Sequence, residues 1–557
     1  MPLCASSECF QMKIGLDFDN TIARYDRVFV EAARGDGLIP DEYEYCGKTA
    51  LKGDLLAMPN GERLWMRLQG QVYGRYMCKA EAMSGFLEFL LRCRLRGVEV
   101  FIVSHKTEFG HFDEACISLR DAATQWMESK GFFDKASLGL EKDNVFYCAT
   151  REEKVARIAG LDLDCFVDDL PEVFAEKGFP ASVEKILFDE HGSHDGSCAQ
   201  LSFNSWQAIA EHLLGQTDEE ENCRVIKCMT GFPIDAIEPV SGRGNSRIFK
   251  LSAQQGNDCA LKLYPLQGGS KGSRLKNEFD ALLFLRQNGI LNVPEPLGRN
   301  DDYGYGLYSW IDGDGLGTPA HDDFSQAIRF IRSLYRVSRD FGVKYAGLAT
   351  EACLSGSELI SQIERRLQRL RDVRSGSRAL SEFLHDEFLP VWDSGKGQCL
   401  TAWPERSRYQ ELNSELRILS PSDFGFHNAI KSKGQLYFLD FEYFGWDDPV
   451  KLTADFLWHP AFELSQDLSG MWREAMTRLF ETNDDDFSAR LDAAMPLYGM
   501  RWIMILLNEF LPGVARKRLV ATGADMREEE LLRSRQLEKA REYLSLVKAL
   551  KYSAPTV

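Results

Sequence analysis

The sequence predicts an α/β region followed by an α+β region, and three observations carry that prediction. In the first 215 residues, short apolar runs alternate with helix-spaced stretches, and the runs end in polar or acidic residues. Residues 215–222 then read GQTDEEEN, an acidic stretch expected to be a solvated connector (216–222) marking a domain boundary. Beyond it come short strands and then helical stretches over 322–341, 357–373 and 378–391, with several more after Phe456. A chain of 557 residues is too long for one ordinary core, so two or three domains are expected.

Composition narrows the function classes. A hydrophobic share of 44% with 27% charged residues is that of a soluble globular protein. The net charge of −18, with no basic tract to offset it, argues against nucleic acid or an anionic membrane as the main partner. The first residues lack a basic start and a long apolar run, so no signal peptide is read and a cytoplasmic location is expected. The most apolar stretch, 500–511, is interrupted by Arg501, Asn508 and Glu509, which makes it a buried helix rather than a membrane span. The fourteen cysteines form no CxxC pair or Cys/His cluster, and Cys223 and Cys228, the nearest approach, lack partners, so reduced thiols are expected in place of a zinc site.

In the first half, residues 12–16 feed directly into Asp17-Phe18-Asp19-Asn20-Thr21. Alternate residues after a buried strand point the same way, so Asp17 and Asp19 converge on one ligand, and they repel unless a cation or proton lies between them. Residues 85–96 carry Phe86, Leu87, Phe89, Leu90 and Leu91 at helical spacing, with Gly97 to close the helix. The next run, 98–103, is a strand ending at Ser104, whose hydroxyl suits a phosphate oxygen. Thr150 and Glu153 then form a capping-box pattern, and Lys154 lies in the first turn of that helix, where a cation is unfavourable unless it faces an anion. A last run, 165–167, ends in Asp168 and Asp169.

These pieces, in this order, resemble the motifs of the haloacid dehalogenase-like phosphatase superfamily over about residues 12–190. The resemblance implies a doubly wound α/β core within a domain spanning 1–215, with a small helical cap over about 24–82 that includes a helix-like piece at 62–73. It further implies Asp17 as the nucleophile, Asp19 as acid and base, Ser104 and Lys154 on the phosphate, and Asp17, Asp168 and Asp169 around Mg²⁺.

In the second half, residues 241–246 read SGRGNS, small residues whose backbone N–H groups suit nucleotide phosphates at Gly242, Gly244 and Asn245. Lys262 follows in an apolar strand, and the helix over 274–286 offers Glu278 beside Leu275, Phe279, Leu282 and Leu283. Residues 307–311 are an apolar run ending in Asp312-Gly313. Residues 419–450 hold Asp423, Asn428 five positions on, a strand-like run and then Asp440. Phosphoryl transfer needs a carboxylate to accept the hydroxyl proton and oxygen ligands for Mg²⁺, and this stretch supplies both. The spacing resembles that of the aminoglycoside phosphotransferase and choline kinase family, with Leu439-Asp440-Phe441-Glu442 as its metal-binding segment. Where that pattern has His and Gly the chain has Pro421 and Ser422, so the loop backbone is expected to be held differently. The resemblance implies a protein-kinase-like, two-lobed domain over 223–557, with an N-lobe over 223–313 and a helical C-lobe over 314–557. It implies a Lys262–Glu278 ion pair, an adenine bordered by the backbone of Ser309 to Ile311, Asp423 as base, Asn428 and Asp440 on Mg²⁺, and Asp448 and Asp455 as braces.

Together these resemblances imply a bifunctional phosphatase and ATP-dependent kinase acting on a sugar or polyol, with Mg²⁺ and ATP as cofactors. An antibiotic kinase with an accessory domain is a second expectation. A regulatory protein in which one domain has lost turnover is a third, which Pro421 and Ser422 favour and the retained acids oppose.

Overall fold

The computed structural model describes residues 11–41, 43, 47–190, 192, 201–240, 246–253, 258–264, 274–340, 345, 347–373, 377–511 and 526–551. Its first half is built on a six-stranded parallel sheet: β1 (Lys13–Leu16), β2 (Glu99–His105), β3 (Val145–Cys148), β4 (Cys165–Asp168), β5 (Glu184–Phe188) and β6 (Leu201–Phe203). The spatial order is β3-β2-β1-β4-β5-β6. A sheet covered on both faces needs strands that are apolar throughout, and Ile14, Leu16, Ile102, Val103, Phe166 and Val167 are fully buried. Strand order reverses between β1 and β4, and ligand crevices of parallel sheets open outside the carboxyl ends at such a point.

Between β1 and β2 the chain forms three helices, Asp26–Gly35, Lys48–Leu56 and Gly61–Tyr73, tied down where Ala23–Arg24 pairs antiparallel with Glu81–Ala82. The third of these passes so close to the loop after β2 that a Cβ on Gly110 would lie 2.4 Å from the Cα of Gly70. Glycine at this crossing lets the helical insertion sit down against the sheet's carboxyl edge.

The second half opens with a five-stranded antiparallel sheet, β7 (Ile234–Val240), β8 (Arg247–Ala253), β9 (Cys259–Leu263), β10 (Pro296–Asn300) and β11 (Tyr305–Ser309), ordered β10-β11-β9-β8-β7. The helix Arg274–Gln287 packs beside β10 and β11. Helices then dominate, among them His321–Ser338, Gly356–Asp372, Pro449–Trp458, Gln466–Phe480 and Phe487–Leu506. The last of these carries much of the stretch read as a buried helix, with Met500, Ile503 and Met504 fully buried. Among the described residues no helix is long and apolar enough to cross a membrane, and the described cysteines are free thiols.

Two expectations are corrected. The acidic run is not a solvated connector, because Asp218 caps a helix over Glu219–Thr230 and Glu221 is buried against Arg92 and Arg96 of the helix Phe86–Arg96. An acidic first turn suits the helix dipole, and two guanidiniums compensate the buried charge. The apolar faces of that helix, the parallel sheet's helices and the antiparallel sheet form one continuous core, running from Leu90 and Trp206 through Val225 and Met229 to Leu261 and Tyr305. The helix expected over 378–391 runs on to Ala402, passing through a wide turn at Phe383–Phe388 just before Pro390. A π-turn there accommodates a residue that lacks an N–H.

Candidate active sites

The loops leaving β1 and β4 face one crevice, and the carboxylate oxygens of Asp17, Asp168 and Asp169 lie within 4.8 Å of one another there. Lys154, from the first turn of the helix Arg151–Gly160, is buried and donates to Asp17 Oδ1 at 2.5 Å and Asp168 Oδ2 at 2.6 Å. Asp169 accepts from Asn20 Nδ2 at 3.3 Å and from the Thr21 hydroxyl at 3.5 Å. Ser104 is fully buried near the end of β2, and its Oγ has no hydrogen-bond partner among the described residues. Buried hydroxyls are ordinarily paired, so this one stands out in the crevice's wall.

Asp19 sits in the same loop but is held from the other side, by Lys106 Nζ at 2.8 and 2.9 Å and by the Tyr25 hydroxyl at 2.5 Å. Sequence reasoning misses both partners, although Lys106 lies only two residues past Ser104. From the helical insertion, Lys48 bonds to the Tyr73 hydroxyl at 3.0 Å. Burial alone would lower the Lys48 ammonium, but Tyr73, Asp169 and Asp19 raise it.

Burial pushes the Asp17 carboxyl up to about 7; Lys154 pulls it down, and Asp168 and Asp19 push it up. Asp169 is raised well above its ordinary value by burial and then by Asp168 and Asp17. Lys154, which burial would lower, is held above its ordinary value by Asp168 and Asp17. Lys154 and, at longer range, Lys48 offset part of this charge, and the three carboxylates form an all-oxygen set of the kind that suits a hard divalent cation.

In the second half Lys262, on β9, donates to Glu278 Oε2 at 2.7 Å and Asp440 Oδ1 at 2.8 Å, and lies 3.9 Å from Glu442 Oε2. The carboxylate oxygens of Glu278, Asp440 and Glu442 lie within 4.8 Å of one another, so the acid that joins Asp440 beside the predicted pair is the buried Glu442. Glu278 also accepts from the Tyr264 hydroxyl at 2.7 Å, which meets the Tyr308 hydroxyl at 2.7 Å. Burial raises the Glu278 carboxyl; Lys262 lowers it and Asp440 raises it.

Asp423 follows Ser422, whose φ is +68°. The loop backbone is therefore left-handed at this residue, a conformation that suits glycine, and the serine side chain takes part in holding it. Three bonds hold it: Ser422 N–H to Ser420 Oγ at 3.0 Å, Ser422 Oγ to the Thr350 carbonyl at 3.2 Å, and Lys451 Nζ to Ser422 Oγ at 2.9 Å. Lys451 in turn pairs with Asp447 at 3.0 Å and Asp455 at 3.4 Å, while Asp448 caps the helix Pro449–Trp458 and pairs with Arg490. Asn428 Nδ2 donates to the Asp423 carbonyl at 3.0 Å, and Leu439 N–H donates to the Asn428 carbonyl at 2.8 Å, which ties the two ends of the segment together. The amide oxygen of Asn428 makes no hydrogen bond among the described residues.

Two imidazoles that sequence reasoning missed flank Asp423: His427 Nε2 and His459 Nε2 each lie 3.3 Å from Oδ1. Burial would raise the Asp423 carboxyl, but His427 and His459 hold it well below the usual carboxylate range.

Gly242, Gly244 and Asn245 lie outside the described residues. Of the expected adenine-bordering backbone, the Ser309 and Trp310 N–H groups are engaged by the carbonyls of Glu295 at 2.8 Å and Asp258 at 3.2 Å. Ser309 therefore offers no free N–H, because it closes the strand edge, whereas the Ile311 N–H has no partner among the described residues.

A protein-family profile described as "Phosphotransferase enzyme family" matches residues 236–491, leaving the parallel sheet outside the match. No curated protein matches the chain. Among solved structures, a spectinomycin phosphotransferase in complex with ADP is 9% identical, covering 60% of this chain and 99% of its own, with a TM-score of 0.40. The amicoumacin kinase hAmiN in complex with AMP-PNP and Ca²⁺ is 13% identical over 60% and 96%, with a TM-score of 0.38. A choline/ethanolamine kinase family protein from Mesorhizobium loti is 16% identical over 56% and 92%, with a TM-score of 0.35. Over residues 236–491, then, the C-terminal part of the chain is similar to a family of phosphotransferase enzymes.

Proposed function

We propose that the chain combines two phosphoryl-handling activities: phosphomonoester hydrolysis at the Asp17 cluster, in a haloacid dehalogenase-like domain over 1–215, and ATP-dependent phosphorylation of a small-molecule hydroxyl around Lys262, Asp423 and Asp440, in a domain over 223–557. The observation that carries the reading is shared by both halves: a buried lysine bridges carboxylates from different elements, Lys154 between Asp17 and Asp168 and Lys262 between Glu278 and Asp440. Each such cluster is an oxygen-rich set that fits Mg²⁺.

In the first site, the Asp17 carboxylate attacks phosphorus, the bond from phosphorus to the leaving oxygen breaks, and Asp19 protonates that oxygen. Asp19 then takes a proton from the water that opens the aspartyl-phosphate. Ser104 Oγ and Lys154 hold the phosphoryl oxygens, and Asp17, Asp168 and Asp169 would hold Mg²⁺. In the second, Asp423 accepts the acceptor's hydroxyl proton as its oxygen attacks the γ-phosphorus and the bond to ADP breaks, while Lys262, positioned by Glu278, neutralises the nucleotide phosphates. Asn428 and Asp440, with Glu442 close by, would hold Mg²⁺. The cation supplies charge neutralisation on the phosphoryl oxygens.

Opposing activities on the same oxygen would only hydrolyse ATP. We therefore read the substrate as a sugar or polyol dephosphorylated at one position and phosphorylated at another, the kind of step that precedes nucleotide activation in surface-polysaccharide or secondary-metabolite pathways. The test is ADP release by the full chain with MgATP and a panel of sugars, polyols, amino alcohols and kanamycin-type compounds, alongside phosphate release from p-nitrophenyl phosphate. Turnover of sugars or polyols together with aryl phosphate is expected. Turnover of kanamycin-type compounds alone would replace the acceptor assignment, and no aryl phosphatase activity would remove the first half.

A further inference from the structure

We propose that His459 is a positioning residue for Asp423: it occupies one carboxylate oxygen, so that the other is presented to the acceptor hydroxyl. The proposal rests on Asp423 being the base. His459 immediately follows the helix Pro449–Trp458, and its Nδ1 accepts the Ala461 N–H at 3.2 Å. A ring nitrogen that accepts must carry a lone pair, which places the proton of the neutral imidazole on Nε2. That nitrogen lies 3.3 Å from Asp423 Oδ1, within ion-pair distance but not aligned as a formed hydrogen bond, a contact of the kind that tightens when substrate closes a site.

The ring is clamped in this pose. It stacks on His427 with centroids 3.8 Å apart and planes 8° apart, stacks on Phe462 at 5.5 Å, and meets the edge of Trp502 at 4.8 Å. Trp502 is itself fixed, its Nε1 donating to Asp455 Oδ1 at 3.0 Å. His427 Nε2 approaches the same oxygen, but neither of its buried ring nitrogens has a hydrogen-bond partner among the described residues, so the protein does not set its tautomer. Asp423, His427 and His459 also form a candidate metal-ligand group. Face-to-face rings do not aim their lone pairs at one point, since an ion in the plane of one imidazole lies over the face of the other, and the Ala461 N–H leaves Nε2 protonated. The arrangement is that of a donor within reach of a carboxylate.

The experiment compares full-length wild type with His459→Phe, His459→Gln and Asp423→Asn in MgATP hydrolysis with water as acceptor, together with ¹⁵N-histidine spectra. His459→Phe keeps the ring stack and removes the donor, so kcat is expected to fall about tenfold or more while KM for ATP and the melting temperature hold. His459→Gln, which carries an N–H at similar reach, is expected to recover most of the rate. The spectra are expected to show His459 protonated at Nε2 only, with that resonance moving in Asp423→Asn, and they decide even where hydrolysis by water is too slow to measure. A wild-type kcat in His459→Phe, or an Nδ1-protonated His459, overturns the positioning role and leaves the base standing if Asp423→Asn is inactive. An Asp423→Asn that hydrolyses ATP as fast as wild type removes the base and its positioning residue together.

Discussion

Lys154 and Lys262 solve the same electrostatic problem in different surroundings. Lys154 is 2% exposed at its side chain and sits between carboxylates that are 8% and 0% exposed, the lysine on a helix packed against the parallel sheet and the acids at the ends of two of its strands. Lys262 is 11% exposed and joins a helix-borne acid, 6% exposed, to Asp440, which is 37% exposed on a turn of the helical part. The first lysine is therefore built into the sheet's core, while the second links two separate pieces and reaches toward solvent. A buried ion pair broken on one side leaves its partner uncompensated, whereas a half-exposed acid is rescued by water.

The sharpest way to break this comparison is to remove each chemical centre in turn. Asp17→Asn is expected to lower phosphate release from p-nitrophenyl phosphate by at least about 10³-fold with ATP-dependent transfer intact, and Asp423→Asn to do the converse. Loss of both activities in either variant would mean that the two sites act as one.

Next in size is the lysine pair itself. Lys154→Met and Lys262→Met are each expected to cost their own activity about 10²-fold, as loss of a charged transition-state partner does. They should differ in stability. Lys154→Met strands Asp17 and Asp168 and is expected to cost about 3 kcal/mol in urea unfolding. Lys262→Met should cost less, because Glu278 keeps the Tyr264 hydroxyl and Asp440 turns to water. Equal losses would mean that exposure does not distinguish the two clusters.

The parts of each site that the sequence makes legible are those on single elements. Asp17, Ser104, Lys154 and Asp168 sit at strand ends or in a helix's first turn, positions that periodicity and capping rules locate. What holds Asp19 and Asp423 is not legible, because Lys106, Tyr25 and His459 reach them through tertiary packing, which leaves no periodic trace. Glu221 misleads for a related reason: an acidic helix start reads like a connector, and its burial is decided by Arg92 and Arg96 on another helix. At Ser422 the departure from glycine is legible, but the backbone it adopts is fixed by Thr350 and Lys451.

The opposite displacement of the two reacting carboxyls sharpens the comparison through pH. Each must be ionised to act. Burial pushes Asp17 up to about 7, so phosphate release should fall roughly tenfold per unit once the pH drops below that value, at low Mg²⁺. Added Mg²⁺ should move the limb to lower pH, since a cation favours the ionised form. Asp423 lies well below the usual carboxylate range because of His427 and His459, so transfer should persist at pH 5. Coincident acid limbs in the two rate profiles would refute the contrast.

The smallest effect tests how the second site tolerates a residue that the first has no need of. A non-glycine residue at positive φ costs on the order of 1 kcal/mol, and Ser422 offsets that cost with bonds to Thr350 and Lys451. Ser422→Gly removes the strain and the bonds together, so transfer activity is expected to stay within about twofold and the melting temperature within a few degrees. Ser422→Ala keeps the strain and loses the bonds, leaving the buried Lys451 with Asp447 and Asp455 alone, and is expected to lower both more than glycine does. If alanine proved the better tolerated of the two, the loop would owe its shape to its neighbours rather than to the dihedral preference of residue 422, and the glycine of the family pattern would need another explanation.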